Sequence, residues 1–146
     1  DQDVMDKEYD AIISYSAKDY KWVCHVLRRK LESTDRGFKL CLHDRDFKVG
    51  ATIGENILES VRKSRRMIMV LSRNFLNSSW CMMEFRAAHL QVLKEMSKYL
   101  ILIMYEDIHE NELDEDLKFY VKNNTYLSIQ NKWFWEKLYY AMPEDP

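Results

Sequence analysis

The sequence predicts an α/β fold, a doubly wound five-stranded parallel sheet with helices on both faces, and three observations carry that expectation. Short apolar runs recur along the chain (Ala11-Ile12-Ile13, Met67 to Leu71, Leu100 to Met104), and each is continuous rather than alternating. Strands buried on both faces have that pattern, whereas a strand with one wet face alternates. Between the runs lie segments with apolar residues four apart, the stripe of a helix packed on a sheet. The 146 residues also include only three Gly and two Pro, too few for a sandwich built on many tight turns.

Taken in order, Tyr9 to Tyr15 is the first strand. Ser16 and Asp19 form an S-x-x-D capping box, and Val23, Leu27 and Leu31 then mark a helix. Ser33 to Gly37 is a polar loop, and Phe38 to Leu42 alternates Phe38, Leu40, Leu42 as a second strand. His43 to Thr52 is a loop dense in charge that carries Gly50, and Ile53, Ile57 and Val61 give the next helix. Met67 to Leu71 is a third strand, Trp80 to Met96 a long amphipathic helix and Leu100 to Met104 a fourth strand. Glu106 to Leu117 is acidic and solvated, Thr125 to Ile129 is a fifth strand, and Trp133 to Ala141 is a last helix. Buried strands alternating with helices imply a parallel sheet covered on both sides, with strand order 2-1-3-4-5 as in flavodoxin-like folds.

Composition narrows the function. With 47% hydrophobic and 13% aromatic residues, the chain has the apolar mass for one domain spanning 1–146, its core about 9–143. Acids (24) and bases (22) nearly cancel, so the basic excess of a nucleic-acid binder is missing. No apolar run approaches the ~20 residues that span a bilayer, so a membrane-crossing helix is not expected in this chain. Cys24, Cys41 and Cys81 are odd in number and widely spaced, which fits buried thiols in a reducing compartment rather than a disulfide framework or a zinc site. His25, His43, His89 and His109 lack ligand spacing, and no metal is expected. Met67, Met69, Met82, Met83 and Met104 read as core filling. The turn after the first strand, Ser14 to Asp19, holds no Gly, whereas a phosphate-gripping turn needs close backbone approach. A receiver domain needs an Asp at the end of its third strand, where this chain has Ser72.

Three segments carry a resemblance. Tyr9-Asp10-Ala11-Ile12-Ile13-Ser14-Tyr15 resembles the first box of Toll/interleukin-1 receptor (TIR) domains. Leu40 to Gly50, with Arg45-Asp46-Phe47-Lys48-Val49-Gly50 at its centre, resembles the second box, whose core is RDxxPG, and Phe134-Trp135 resembles the third. Val70-Leu71-Ser72, Asn74-Phe75, Ser79-Trp80-Cys81 and Glu84-Phe85 resemble the stretch between, and Glu84 to His89 with Asn124 to Leu127 is similar to Toll receptors of insect type. The match runs in order from Tyr9 to Pro143.

The resemblance implies a signalling module of a Toll-type innate-immune or developmental receptor. On that footing it lies on the cytoplasmic face of a membrane, as the intracellular part of a single-pass receptor. It would recruit a TIR adaptor with a death domain and self-associate with another receptor TIR domain; no cofactor is implied. The partner-binding loop would be His43, Asp44, Arg45, Asp46, Phe47, Lys48, Val49 and Gly50, and Asp10, Ser14, Tyr15, Trp80, Phe134 and Trp135 would be structural motif residues. Arg45→Ala and Phe47→Ala are expected to weaken adaptor binding with little effect on melting. Val49 departs from the motif, which usually has Pro there; Val has an amide hydrogen and a wider range of φ. The alternative is an NAD hydrolase: TIR domains of that class use a glutamate on the helix after the Trp, where this chain has Glu84, and NAD would then be bound. Spacing four places Trp80 and Glu84 on one helix face.

Overall fold

The computed structural model describes residues 7–46, 49–80, 83–124 and 126–144, with the side chains of all of these but Asp44, Met83 and Glu84. Five strands form one sheet: β1 Tyr9–Ser14, β2 Leu40–Leu42, β3 Ser64–Leu71, β4 Leu100–Met104 and β5 Tyr126–Ser128. Their order is β2-β1-β3-β4-β5 and every neighbouring pair is parallel, as the sequence predicts. Ile12 lies between Cys41 and Met67, Met69 opposite Leu102, and Ile103 opposite Leu127.

The register explains why the apolar runs do not alternate. Successive side chains point to opposite faces. Ile12, Met67, Met69, Leu71 and Leu102 therefore enter one core, while Ala11, Ile13, Ile68, Val70 and Ile103 enter the other. Helices close both. On the first side lie α2 (Ile53–Arg62), α3 (Met83–Met96) and α4 (Glu115–Asn123), through Ile57, Val61, Val92, Leu93, Leu117 and Tyr120. On the second lie α1, continuous through Ala17–Asp19, Tyr20–Trp22, the π-type turn Val23–Leu27 and Arg28–Glu32, and α5 (Phe134–Ala141). Cys24 and Cys41 are buried, as expected, and burial pushes the Cys41 thiol up to about 11; Cys81 lies outside the described residues.

Several local expectations are corrected. Ser16 does cap the helix, its Oγ accepting from the Lys18 amide at 3.2 Å, but the expected reciprocal partner Asp19 is buried and engaged elsewhere. The capping box sits instead at α2, where Thr52 Oγ1 accepts from the Glu55 amide (3.1 Å) and Glu55 accepts from the Thr52 amide (3.3 Å). β2 starts at Leu40 rather than Phe38, and the Lys39 amide donates to the Asp10 carboxylate at 2.9 Å. β3 reaches back to Ser64 because Ser64 and Arg66 pair with Tyr9 and Ala11. Trp80 ends a separate π-type turn, Phe75–Trp80, so its helical continuity with Glu84 rests on Cys81 and Met82, outside the described residues. The acidic stretch is not simply a solvated face: Ile108, Leu113 and Leu117 are buried, and its second half begins α4.

Candidate partner-binding loop and the crevice beside it

The loop after β2 has an anchored stem and, beyond it, an exposed Val49. Its first turn, His43–Asp46, is helical. His43 stacks on buried Tyr15 from the end of β1, ring centroids 4.3 Å apart. Arg45 donates to the Leu40 carbonyl at 2.6 Å and pairs with Glu32 and Asp46, each at 3.2 Å. Asp46 in turn accepts from the Leu42 amide at 3.0 Å. Arg45 and Asp46 thus tie the stem to β2 and to the end of α1, and hydrogen bonds to Asp46 and Glu32 raise the Arg45 pKa despite its desolvation. The Asp44 side chain and all of Phe47 and Lys48 lie outside what is described.

Beyond the stem the described chain resumes at Val49. Val49 is fully exposed, and Gly50 follows at φ +93° with open space where a Cβ would stand. Glycine is required there by conformation and not by crowding, because L side chains rarely adopt that φ. An apolar side chain with no packing at the apex of a charged loop is the composition of a contact surface.

At the carboxyl ends of β1 and β3 polar side chains bond to one another, beside a cavity of about 600 Å³ lined by Asp19, Trp22, Asn74 and Tyr105. Asp19 accepts from Ser72 Oγ and from Asn74 Nδ2 (2.8 Å), while Ser72 Oγ accepts from the Phe75 amide (3.0 Å). Ser78 Oγ donates to the Asn74 carbonyl (2.6 Å), which leaves Ser16 Oγ to donate to Ser78 Oγ (3.0 Å). Ser14 and His89 form a second pair. The Phe85 carbonyl can only accept, so His89 Nδ1 donates to it (2.9 Å), and Nε2 accepts from Ser14 Oγ (2.7 Å). His89 is 1% exposed, and burial lowers its pKa to about 4, outweighing the Phe85 bond. Phe85 stacks on the ring at 4.2 Å.

Trp80 is likewise committed. Buried and in ring contact with Phe75, it donates Nε1–H to Asp114 at 2.6 Å, and Asp114 also caps α4 through the Leu117 amide (2.9 Å). Arg73 holds the loop before α4, donating to Glu112 at 2.8 and 3.0 Å and to the Asp107 carbonyl at 2.8 Å. The Arg73 bond, with the His109 amide, brings the Glu112 carboxyl down to about 2. Glu84 has its backbone in α3, and its side chain is outside the described set.

The other motif residues are internal. Asp10 stands at the opposite end of the sheet, where its carboxylate accepts from Arg36 (2.9 Å) and the Lys39 amide and pairs with Arg65 at 3.6 Å. Phe134 is buried beside Trp22, ring centroids 6.4 Å apart, and half-buried Trp135 lies under Lys30 at 5.1 Å. The structure thus joins Tyr15 to the second-box loop, joins Ser14 to α3 through His89, and sets Asp10 apart. Sequence reasoning missed Asp19, His89, Arg73 and Asp114 as organisers. Their partners lie 33 to 75 residues away, a separation that only the fold closes.

The "TIR domain" family model matches residues 9–145. Protein toll of Drosophila melanogaster is 50% identical over 139 residues, which are 94% of this chain and 13% of that protein. Toll-like receptor 2 of the dog is 41% identical over 138 residues, 89% of this chain and 18% of that receptor. The chain therefore spans less than a fifth of either relative. The crystal structure of the TIR domain of the Toll-related receptor TRR-2 from Hydra magnipapillata superposes with a TM-score of 0.71 at 27% identity, covering 90% of this chain and 96% of that one. Two boxes set at the ends of β1 and β2, a third opening α5, and these likenesses along nearly the whole length place the chain in the TIR-domain family, beside the Toll-type receptors.

Proposed function

We propose that the chain is the cytoplasmic signalling module of a Toll-type innate-immune or developmental receptor, recruiting a TIR adaptor that carries a death domain and pairing with the TIR domain of a second receptor. The observation that carries this reading is the loop after β2: Val49 is fully exposed at its tip while Arg45, Asp46 and His43 brace its base. An exposed apolar side chain gains by being covered, and an already fixed stem loses little conformational freedom when a partner binds, which favours association. The likeness to Toll and to Toll-like receptor 2 supports the same assignment.

On this reading the domain acts by association and not by chemistry. Its weak single contacts gain strength when a receptor brings copies together. The hydrogen bonds that engage Asp19, Ser72, Asn74, Ser14, His89 and Ser16 within the fold support this. NAD hydrolysis through Glu84 stands as the competing activity. The test fuses the chain to a drug-inducible dimeriser and measures capture of a death-domain TIR adaptor. Capture that appears with dimerisation supports the reading; none, with the fusion folded and dimeric, contradicts it.

A further inference from the structure

In a parallel sheet the strand N-termini share one end, here the end away from the second-box loop. A groove of about 660 Å³ opens there between the starts of β4 and β5 and the flank of α5. Arg66, Lys98 and Lys137 line it, against the acid Glu136. Arg66 donates to the carbonyls of Ala141 (3.2 Å) and Arg65 (3.1 Å), both neutral groups. Among the described residues no carboxylate pairs with Arg66, Lys98 or Lys137, whereas Arg28, Arg36, Arg45, Lys63, Arg65 and Arg73 all have acidic partners. Burial, and then the charge of Arg65, lower the Arg66 pKa, so this guanidinium lacks the compensation the others enjoy. Tyr99 stacks under both Arg66 (5.4 Å) and Lys98 (5.2 Å), and Tyr126 and Tyr140 stand exposed on the other side, Tyr140 at 93%.

We propose that this groove binds the phosphates of anionic phospholipid headgroups at a membrane surface, holding the domain with its strand N-termini toward the bilayer. Guanidinium and ammonium groups without carboxylates are open to phosphate. Tyrosines with an apolar ring and a polar tip suit the headgroup layer. The orientation rests on the receptor reading, because a chain arriving from a membrane-spanning segment enters the domain at Tyr9, at this same end. A second copy is the other candidate, through its acidic stretch from Glu106 to Asp116. Glu106, Glu112 and Asp114 are already engaged by Arg73, Arg86 and Trp80, which favours the lipid.

The experiment is co-sedimentation of this chain with vesicles of phosphatidylcholine alone or with added phosphatidylserine or phosphatidylinositol bisphosphate. The expected result is binding to the anionic vesicles only, weakening as salt rises. The exposed pair of changes Lys98→Gln with Lys137→Gln is expected to weaken it by about 25-fold, roughly fivefold per cation. Equal binding to neutral vesicles, or full affinity in the double variant, overturns the proposal. It is also overturned if vesicles never bind and the double variant instead abolishes self-association in sedimentation velocity, which gives the groove to a second copy. Val49→Asp leaves the groove intact and is expected to keep vesicle binding while losing TIR–TIR association, so the two readings fail separately.

Discussion

His89 links the end of β1 to α3 through two hydrogen bonds, of which the one that Nε2 accepts from Ser14 requires the neutral ring. Its folded pKa is depressed to about 4 from 6.5. Between those values the unfolded chain takes up a proton that the folded one refuses, so stability falls as pH drops through that window. The loss amounts to about 3 kcal/mol by pH 4, and urea unfolding at stepped pH should show it. His89→Gln should lower stability overall and flatten the window; an equally steep decline in that variant would assign the effect elsewhere. The exposed Glu112 adds a lower window: its depressed carboxyl contributes above the usual carboxylate range and loses that contribution as pH falls toward 2. Arg45 shows how far single residues were legible. The motif marked it as a contact residue, yet three of its own domain's groups hold it. Arg45→Ala should therefore lower stability by about 1 kcal/mol, measured by urea melts. Lost binding in that variant would report on the stem as well as on a partner. Charge in a sequence does not say whether a side chain points to its own fold or away from it.

Elements were more legible than residues where burial was two-sided. β1, β3 and β4 announce themselves because their apolar residues meet one core or the other in unbroken runs, and α2 because Ile53, Ile57 and Val61 repeat at a turn and a bit. α4 was hidden. Its surface carries Glu115, Asp116, Lys118 and Lys122, and only Leu117 and Tyr120 are buried, so its apolar stripe is two residues wide. Asp114 as its cap would have been the signal, since an Asp before an acidic first turn opens a helix. The third box divides at this scale too. Phe134 is buried against Trp22, whereas Trp135 is only half covered and shares its face with Lys30. Phe134→Ala should cost about 3–5 kcal/mol and Trp135→Ala about half that or less, in chemical melts. Equal losses would show that the second ring is as deeply packed as the first.

At the scale of the molecule, sheet topology sorts the motifs into two ends. Ser14 and the second-box loop share the carboxyl end, with Val49 exposed and Asp19, Ser72, Asn74 and Ser78 joined by hydrogen bonds; Asp10 and the cationic groove lie at the other. The fold class and strand order followed from sequence pattern. The hydrogen-bond network at the ends of β1 and β3 did not, because it joins residues that only the sheet brings together. An association module should leave NAD untouched: concentrated protein and its Glu84→Ala variant are expected to show the same background loss by chromatography. Turnover that disappears in the variant would make the domain an enzyme.

The central claim is that the tip of the loop after β2 makes the TIR–TIR contact. Its most direct test is the affinity of this chain for the TIR domain of a death-domain adaptor, measured beside Val49→Asp at matched thermal stability. Val49 has no packing to lose, so its melting temperature should stay put. Binding should weaken by about tenfold or more once a charge is forced into the contact. Unchanged affinity in the folded variant would contradict the account.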